Sequence, residues 1–274
     1  MLGDAAESRH QAALAHLHRQ ETLHGTQTDK GSAVSTEYRR CVAAALLALA
    51  GAAEADGLVP LDAGSGPTPA APWHVAGLPM QKKPLTRFDI VELDGKRVLR
   101  IEADRSYGNL VHALPAGGAG RFLSWRWRVD MPNERANLRT RAGDDSAVEV
   151  CVMFDLPLQA VPFVDRQVVR LARSQSTELL PTATVCYVWD DHFPVGTVMD
   201  NAFTRRIRLI VLRGADMAPK TWRIERRDVQ ADFLRLFGDE ATEVPDIVGV
   251  GIGADADSTQ SRSLAYVVDL RLEP

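Results

Sequence analysis

RFLSWRWRV (121–129) and AVEVCVMF (147–154) decide the fold. In the first, Trp125, Trp127 and Val129 share one parity, and Ser124, Arg126 and Arg128 the other. In the second, Val148, Val150, Val152 and Phe154 oppose Glu149, Cys151 and Met153. A period of two in β-branched and aromatic residues marks a strand with one face in a core and the other outside. Working outward, similar runs recur at 87–93, 96–103, 107–114, 183–189, 205–212, 221–229, 248–254 and 263–272. Asp94-Gly95 between the first two predicts a tight hairpin. A helix is predicted over 231–237, with Asp228 or Asp232 near its start and Gly238 at its end. Val164, Val168 and Leu171 suggest a second over 164–175. The expected fold is mainly all-β, a two-layer antiparallel β-sandwich with one or two minor helices. The missing βα alternation argues against a doubly wound parallel sheet, and the missing repeat against a propeller.

The chain has 274 residues and a net charge of −4, from 32 Lys+Arg against 36 Asp+Glu. Its cations are not clustered, so a nucleic-acid footprint is absent. Apolar residues make up 45% and charged ones 25%, the composition of a globular domain. No run of eighteen apolar residues exists, so no transmembrane helix is expected. RRCVAAALLALAGAAEA (39–55) has a basic pair, an apolar run and a small-x-small site, the pattern of a secretory signal peptide. A buried Ala/Leu helix is the alternative. The organisation expected is a leader extension at 1–33, a signal peptide at 34–55, a Gly/Pro-rich linker at 56–72 and a domain at 73–274. The mature chain would begin near Asp56 in the periplasm or outside the cell. Export would put Cys151 and Cys186 in an oxidising compartment. Pairing them requires adjacent strands in register; two buried thiols are the commoner outcome for isolated cysteines.

Several chemistries are disfavoured. G-x-S-x-G, a P-loop, H-E-x-x-H and S-x-x-K with partners are absent. After residue 55 the histidines are His74, His112 and His192, each isolated in sequence. Two carboxylates from distant strands would suffice for glycoside hydrolysis, with Glu149 and either Asp269 or Glu225 as candidates. Alternation in 263–272 sets Tyr266, Val268, Leu270 and Leu272 against Asp269 and Arg271. One sheet face is then expected to carry Arg126, Arg128, Glu149 and Asp269. This is either a solvated face of paired charges or a polar groove in which arginine forks meet a hydroxyl-rich or acidic ligand. Gly249, Gly251 and Gly253 leave one strand face bare, for a neighbouring Trp or for a sugar ring. Trp189 closes a strand, where it could stack on a pyranose or cap the core. Asp255 and Asp257 present oxygen ligands at alternate positions, so a structural calcium is possible. A calcium-loop template fails at Gln260 and Tyr266, and an Asx-rich turn is the plainer reading.

SWRWRVD (124–130), AGDDSAVEVCVMFD (142–155), CYVWD (186–190), VLRG (211–214), ADFLRLFGDE (231–240) and GVGIGADADSTQ (249–260) follow an order that resembles an exported bacterial family, domain of unknown function 3047. The resemblance covers about 73–272. It implies a periplasmic, jelly-roll-like domain similar in outline to carbohydrate-binding modules, and it transfers no catalytic residue. The family's aromatic-Gly-Asp-Ile strand lacks its glycine here, where Tyr266-Val267-Val268-Asp269-Leu270 stands. Three function classes follow: a non-catalytic glycan-binding module whose partner is a polysaccharide or envelope glycan, a polysaccharide hydrolase or lyase, and a structural or protein-interaction role in the periplasm.

Overall fold

The computed structural model describes residues 57–78, 81–115, 120–176, 180–214, 218 and 220–274. The leader, the signal-peptide pattern and the expected mature start near Asp56 lie outside the described residues. Elements follow in the order β1 (His74–Ala76), β2 (Arg87–Leu93), β3 (Lys96–Asp104), β4 (Tyr107–Ala113), β5 (Phe122–Met131), β6 (Glu149–Phe154), α1 (Phe163–Gln175), β7 (Ala183–Trp189), β8 (Val198–Asp200), β9 (Ile207–Arg213), β10 (Arg223–Asp228), α2 (Val229–Phe237), β11 (Ile247–Asp255) and β12 (Arg262–Glu273). They form a two-layer sandwich. One sheet runs β1-β4-β11-β6-β7-β9-β8 and the other β10-β5-β12-β3-β2.

The pairing is antiparallel except between β7 and β9, which run parallel. The expected antiparallel sandwich thus holds, with this one parallel pair inside it. The 190–206 segment is long enough to carry the chain back along the sheet, and its β8 then pairs antiparallel on the outer edge of β9. The β2–β3 hairpin turns as expected, with Asp94 and Gly95 both left-handed at φ 53° and 73°. Helix α2 starts directly after β10, where the Asp228 carboxylate accepts from the Ala231 amide at 3.0 Å.

Alternation on β5 buries Trp125, Trp127 and Val129 to 2% exposure or less. Trp125 meets Tyr187 with ring centroids 5.3 Å apart, and Trp127 meets Trp189 at 5.7 Å, edge to face. These contacts join the two sheets. Phe233 of α2 closes one end of the core against Phe154 at 4.6 Å. Arg206, just ahead of β9, and Arg208 within it hold the end of α2 through Glu240, at 2.6 Å each. The 57–72 stretch, expected as a linker, lies against the sandwich: Leu61 joins the core, and Pro67 accepts from the Ile90 amide at 2.7 Å.

Cys151 and Cys186 sit directly opposite on β6 and β7 and are disulfide-bonded, with their Cα atoms 4.1 Å apart. Of the two outcomes open from sequence, the bridge is the one realised, because the strands are neighbours in register.

Candidate functional site

The outer face of the five-stranded sheet gathers part of the expected polar groove. Since Trp125 and Trp127 point inward, Arg126 and Arg128 point outward, and their cross-strand partners on β12 are Val268 and Tyr266. Arg128 donates to Asp130 at 2.6 and 3.0 Å and to Asp94, from the hairpin turn, at 3.0 Å. Asp130 raises the pKa of Arg128 above its usual value. Arg126 lies 3.5 Å from Asp269 and stacks over Trp222, 5.4 Å from the ring centroid. Trp222 donates its indole N–H to Asp94 at 3.1 Å, and its ring lies 6.5 Å from that of Tyr266. Val98 and Val268 pack beneath, with Val91 and Leu93 alongside. The result is an aromatic–aliphatic patch framed by guanidinium and carboxylate groups.

Three expected members, Arg126, Arg128 and Asp269, thus meet. Glu149 does not join them, because β6 belongs to the other sheet. Tyr266 and Val268 face outward rather than sharing a face with Leu270, since a bulge between Val268 and Arg271 breaks the alternation. Trp189 is 5% exposed and packs on Trp127, so it caps the core and is closed to stacking with a ligand. Trp222 was missed as a site residue, yet parity could have found it. On β10 Glu225 faces inward beside Trp125, so 222 and 224 face outward.

The carboxylate pairs expected for hydrolysis are not assembled. Glu225 lies on the inner face, accepting from the Trp127 indole at 3.0 Å and from Arg213 at 2.6 and 3.2 Å. Asp269 is on the opposite face of that sheet, and Glu149 on the outside of the other.

Glu149 instead belongs to a second polar cluster. Across β4, β11 and β6 the partners are Asn109, Gly253 and Glu149, with Tyr107 opposite Asp255 one step along. Gly253 leaves room for both side chains: a Cβ there would lie 2.5 Å from the Asn109 amide oxygen and 2.6 Å from a Glu149 carboxylate oxygen, so those side chains would have to shift. Met153 covers Gly249 and Gly251, so the bare strand is roofed by a thioether and a carboxyl rather than by the expected ring. Asn109 donates to the Tyr107 hydroxyl at 3.0 Å. Burial pushes the Glu149 carboxyl up to about 7, with the charge of Asp144 adding to it. Burial also lifts Asp144 to about 6, against a 2.8 Å bond from Asn201, and raises Asp255 well above the carboxylate range. Glu149 therefore titrates near neutral pH, where its protonated form is available as a general acid or hydrogen-bond donor.

Asp255 and Asp257, the expected calcium ligands, come together with Asp145: one oxygen of each lies within 4.8 Å of the others. Asp145 is already committed, accepting from the Ser258 amide at 3.0 Å, the Thr259 amide at 2.7 Å, the Thr259 hydroxyl at 2.5 Å and Asn133 at 3.4 Å. Asp257 is paired with the Lys83 ammonium. Asp145 therefore pins the 256–260 turn with protein donors, and Lys83 already balances the charge of Asp257.

A search of curated proteins finds no match to this chain. Among solved structures, the chain is similar to the family 11 carbohydrate-binding module of the cellulosomal cellulase Lic26A-Cel5E of Clostridium thermocellum, at 9% identity and a TM-score of 0.38, covering 79% of this chain and 92% of that one. It is also similar to Trichoderma harzianum endoglucanase 3 from family GH12, at 10% identity and a TM-score of 0.36, covering 74% and 97%. Residues 71–271, which span both sheets, both helices and both polar clusters, match the family described as protein of unknown function (DUF3047), and the chain belongs to that family.

Proposed function

We propose that this protein is an exported, non-catalytic glycan-binding β-sandwich whose ligand platform is the outer face of the five-stranded sheet. The observation that carries the reading is the half-buried Trp222 ring on an outward sheet face, backed by the buried Tyr266 ring 6.5 Å away and framed by Arg126, Arg128, Asp94 and Asp269. A flat, partly exposed ring such as Trp222 accepts the C–H face of a sugar, and forked guanidinium and carboxylate groups bond its hydroxyls. Export is supported by the basic pair and apolar run at 39–55 and by the Cys151–Cys186 bridge, which belongs to an oxidising compartment. Calorimetric titration with envelope and plant oligosaccharides tests the platform. Wild type should bind at least one glycan, and Arg126→Ala should weaken it by about 10- to 100-fold, since charge-assisted bonds contribute about 1.5–3 kcal/mol. If wild type binds no glycan and Arg126→Ala leaves the denaturant melt unchanged, the platform is a solvated charge network.

The Glu149 cluster favours a second reading, polysaccharide cleavage. A half-buried carboxyl that titrates near neutral pH beside Tyr107 and Asn109 has the protonation of a general acid. Release of new reducing ends that Glu149→Gln abolishes would establish it, and an inactive wild type would remove it.

A further inference from the structure

Helix α1, Phe163–Gln175, is mounted inside out. Val164, Val168 and Leu171 form one stripe along it, and Phe163 stands at its start. These four side chains are 72%, 60%, 60% and 70% exposed, while Val169 is the helix's buried residue. Its polar side makes the attachments. Asp165 meets Arg206 at 3.3 Å, Arg166 donates to the carbonyls of Gln159 and Val161 at 2.9 Å, and Arg173 donates to Asp155 and to the Leu180 carbonyl at 2.9 Å. A surface helix of a globular protein normally does the reverse, burying its apolar stripe. Exposed apolar residues grouped in this way mark an interaction surface.

Charge identifies the partner. The helix carries Arg166, Arg170 and Arg173 against Asp165, a balance of +2 (3 − 1), in a chain whose net charge is −4. Asp165 is turned to Arg206, and the bonds of Arg166 go to carbonyls rather than to an acid. Arg170 is exposed. A short amphipathic helix with an apolar stripe, an arginine-bearing flank and low average hydrophobicity is built to lie in the headgroup boundary of an anionic bilayer. A second copy is the poorer occupant. Two-fold pairing would set the arginine flank against itself, and one stripe of four side chains falls short of the about 800 Å² per partner in a stable interface.

We propose that α1 is a peripheral membrane contact. Phe163, Val164, Val168 and Leu171 enter the acyl boundary of an anionic leaflet, and the exposed Arg170 meets lipid phosphates. The test is cosedimentation of the full chain with vesicles of phosphatidylcholine, with and without phosphatidylglycerol. Wild type should pellet with the anionic vesicles and be released by added salt. Val168→Asp combined with Leu171→Asp should lower the partition coefficient at least about tenfold, with an unchanged thermal melt because both residues are exposed. Arg170→Glu, which leaves the apolar stripe intact, should weaken binding to the anionic vesicles alone. The proposal is overturned if wild type ignores both vesicles, or if the double variant binds them as wild type does. It is also overturned if wild type is a dimer that Leu171→Asp dissociates, which would make a second copy the occupant.

Discussion

At the scale of single residues, Glu149 shows what a strand pattern can and cannot carry. Its outward parity on β6 is legible in AVEVCVMF, because it follows from local alternation. That its neighbours are Asn109 and Gly253 rather than Arg126 is not legible, since strand partners far apart in sequence are chosen by the whole packing. The same limit explains Trp189, whose edge contact with Trp127 arises only when two sheets meet. The chemistry of Glu149 leads to a pH prediction. Its carboxyl is raised from 4.5 to about 7 in the folded state, so between those values the folded chain binds more protons than the unfolded one. Stability must then be highest below about pH 4.5 with respect to this group and fall as pH rises through 7. Asp144, lifted to about 6, acts in the same direction. Glu149→Gln should therefore be more stable than wild type at pH 8, by about 1–3 kcal/mol, with the gap closing toward pH 5. Thermal melts of both proteins across that range check this, and parallel pH profiles would contradict it.

At the scale of elements, every long alternating run became a strand, and the 164–175 pattern became α1. The three-residue strands β1 and β8 were not legible, because His74–Ala76 and Val198–Asp200 are too short to show a period and exist by pairing to β4 and β9. The instructive departure is β12. Its residues alternate in sequence, yet Tyr266 and Val268 face outward while Leu270 returns to the core. The parity shift occurs at Asp269, which is left-handed at φ 55°. A single αL residue inserts the bulge, and so decides which side chains of β12 reach the candidate platform. A residue with a Cβ in this conformation costs about 1–2 kcal/mol, more when β-branched and less for Asp or Asn. Asp269→Val should therefore destabilise by about 1–2 kcal/mol. Asp269→Gly should stay within about 1 kcal/mol of wild type, because relief of the backbone offsets loss of the exposed Arg126 pair. Denaturant melts of the two variants decide the matter. Equal midpoints for valine and wild type would mean that the bulge can slide along the strand.

At the scale of the molecule, two sheets hold two polar clusters on outward faces of opposite layers. Strand order alternates early and late segments, so sequence-distant blocks become neighbours. What joins the layers is aromatic: Trp125, Trp127, Tyr187 and Trp189 in the middle, and Phe154, Phe233 and Phe237 at the α2 end. The disulfide lies outside that core, on the outer face of the seven-stranded sheet among Leu138, Val188, Leu209 and Val211. It closes a loop of sequence separation 35 that contains all of α1, an element held mainly by polar attachments. Since β6 and β7 are already hydrogen-bonded neighbours in the native sheet, the cross-link adds little to the folded state and acts chiefly on the unfolded chain. Restricting a loop of this length should contribute about 3–4 kcal/mol through lost chain entropy. The double variant Cys151→Ala, Cys186→Ala should lower the denaturant midpoint accordingly. It should also raise the m-value, because the uncrosslinked unfolded chain exposes more surface. If the midpoint falls with m unchanged, the bridge acts instead through its packing against Leu138 and Val188. An unmoved midpoint would show that the aromatic core alone sets the stability of the sandwich.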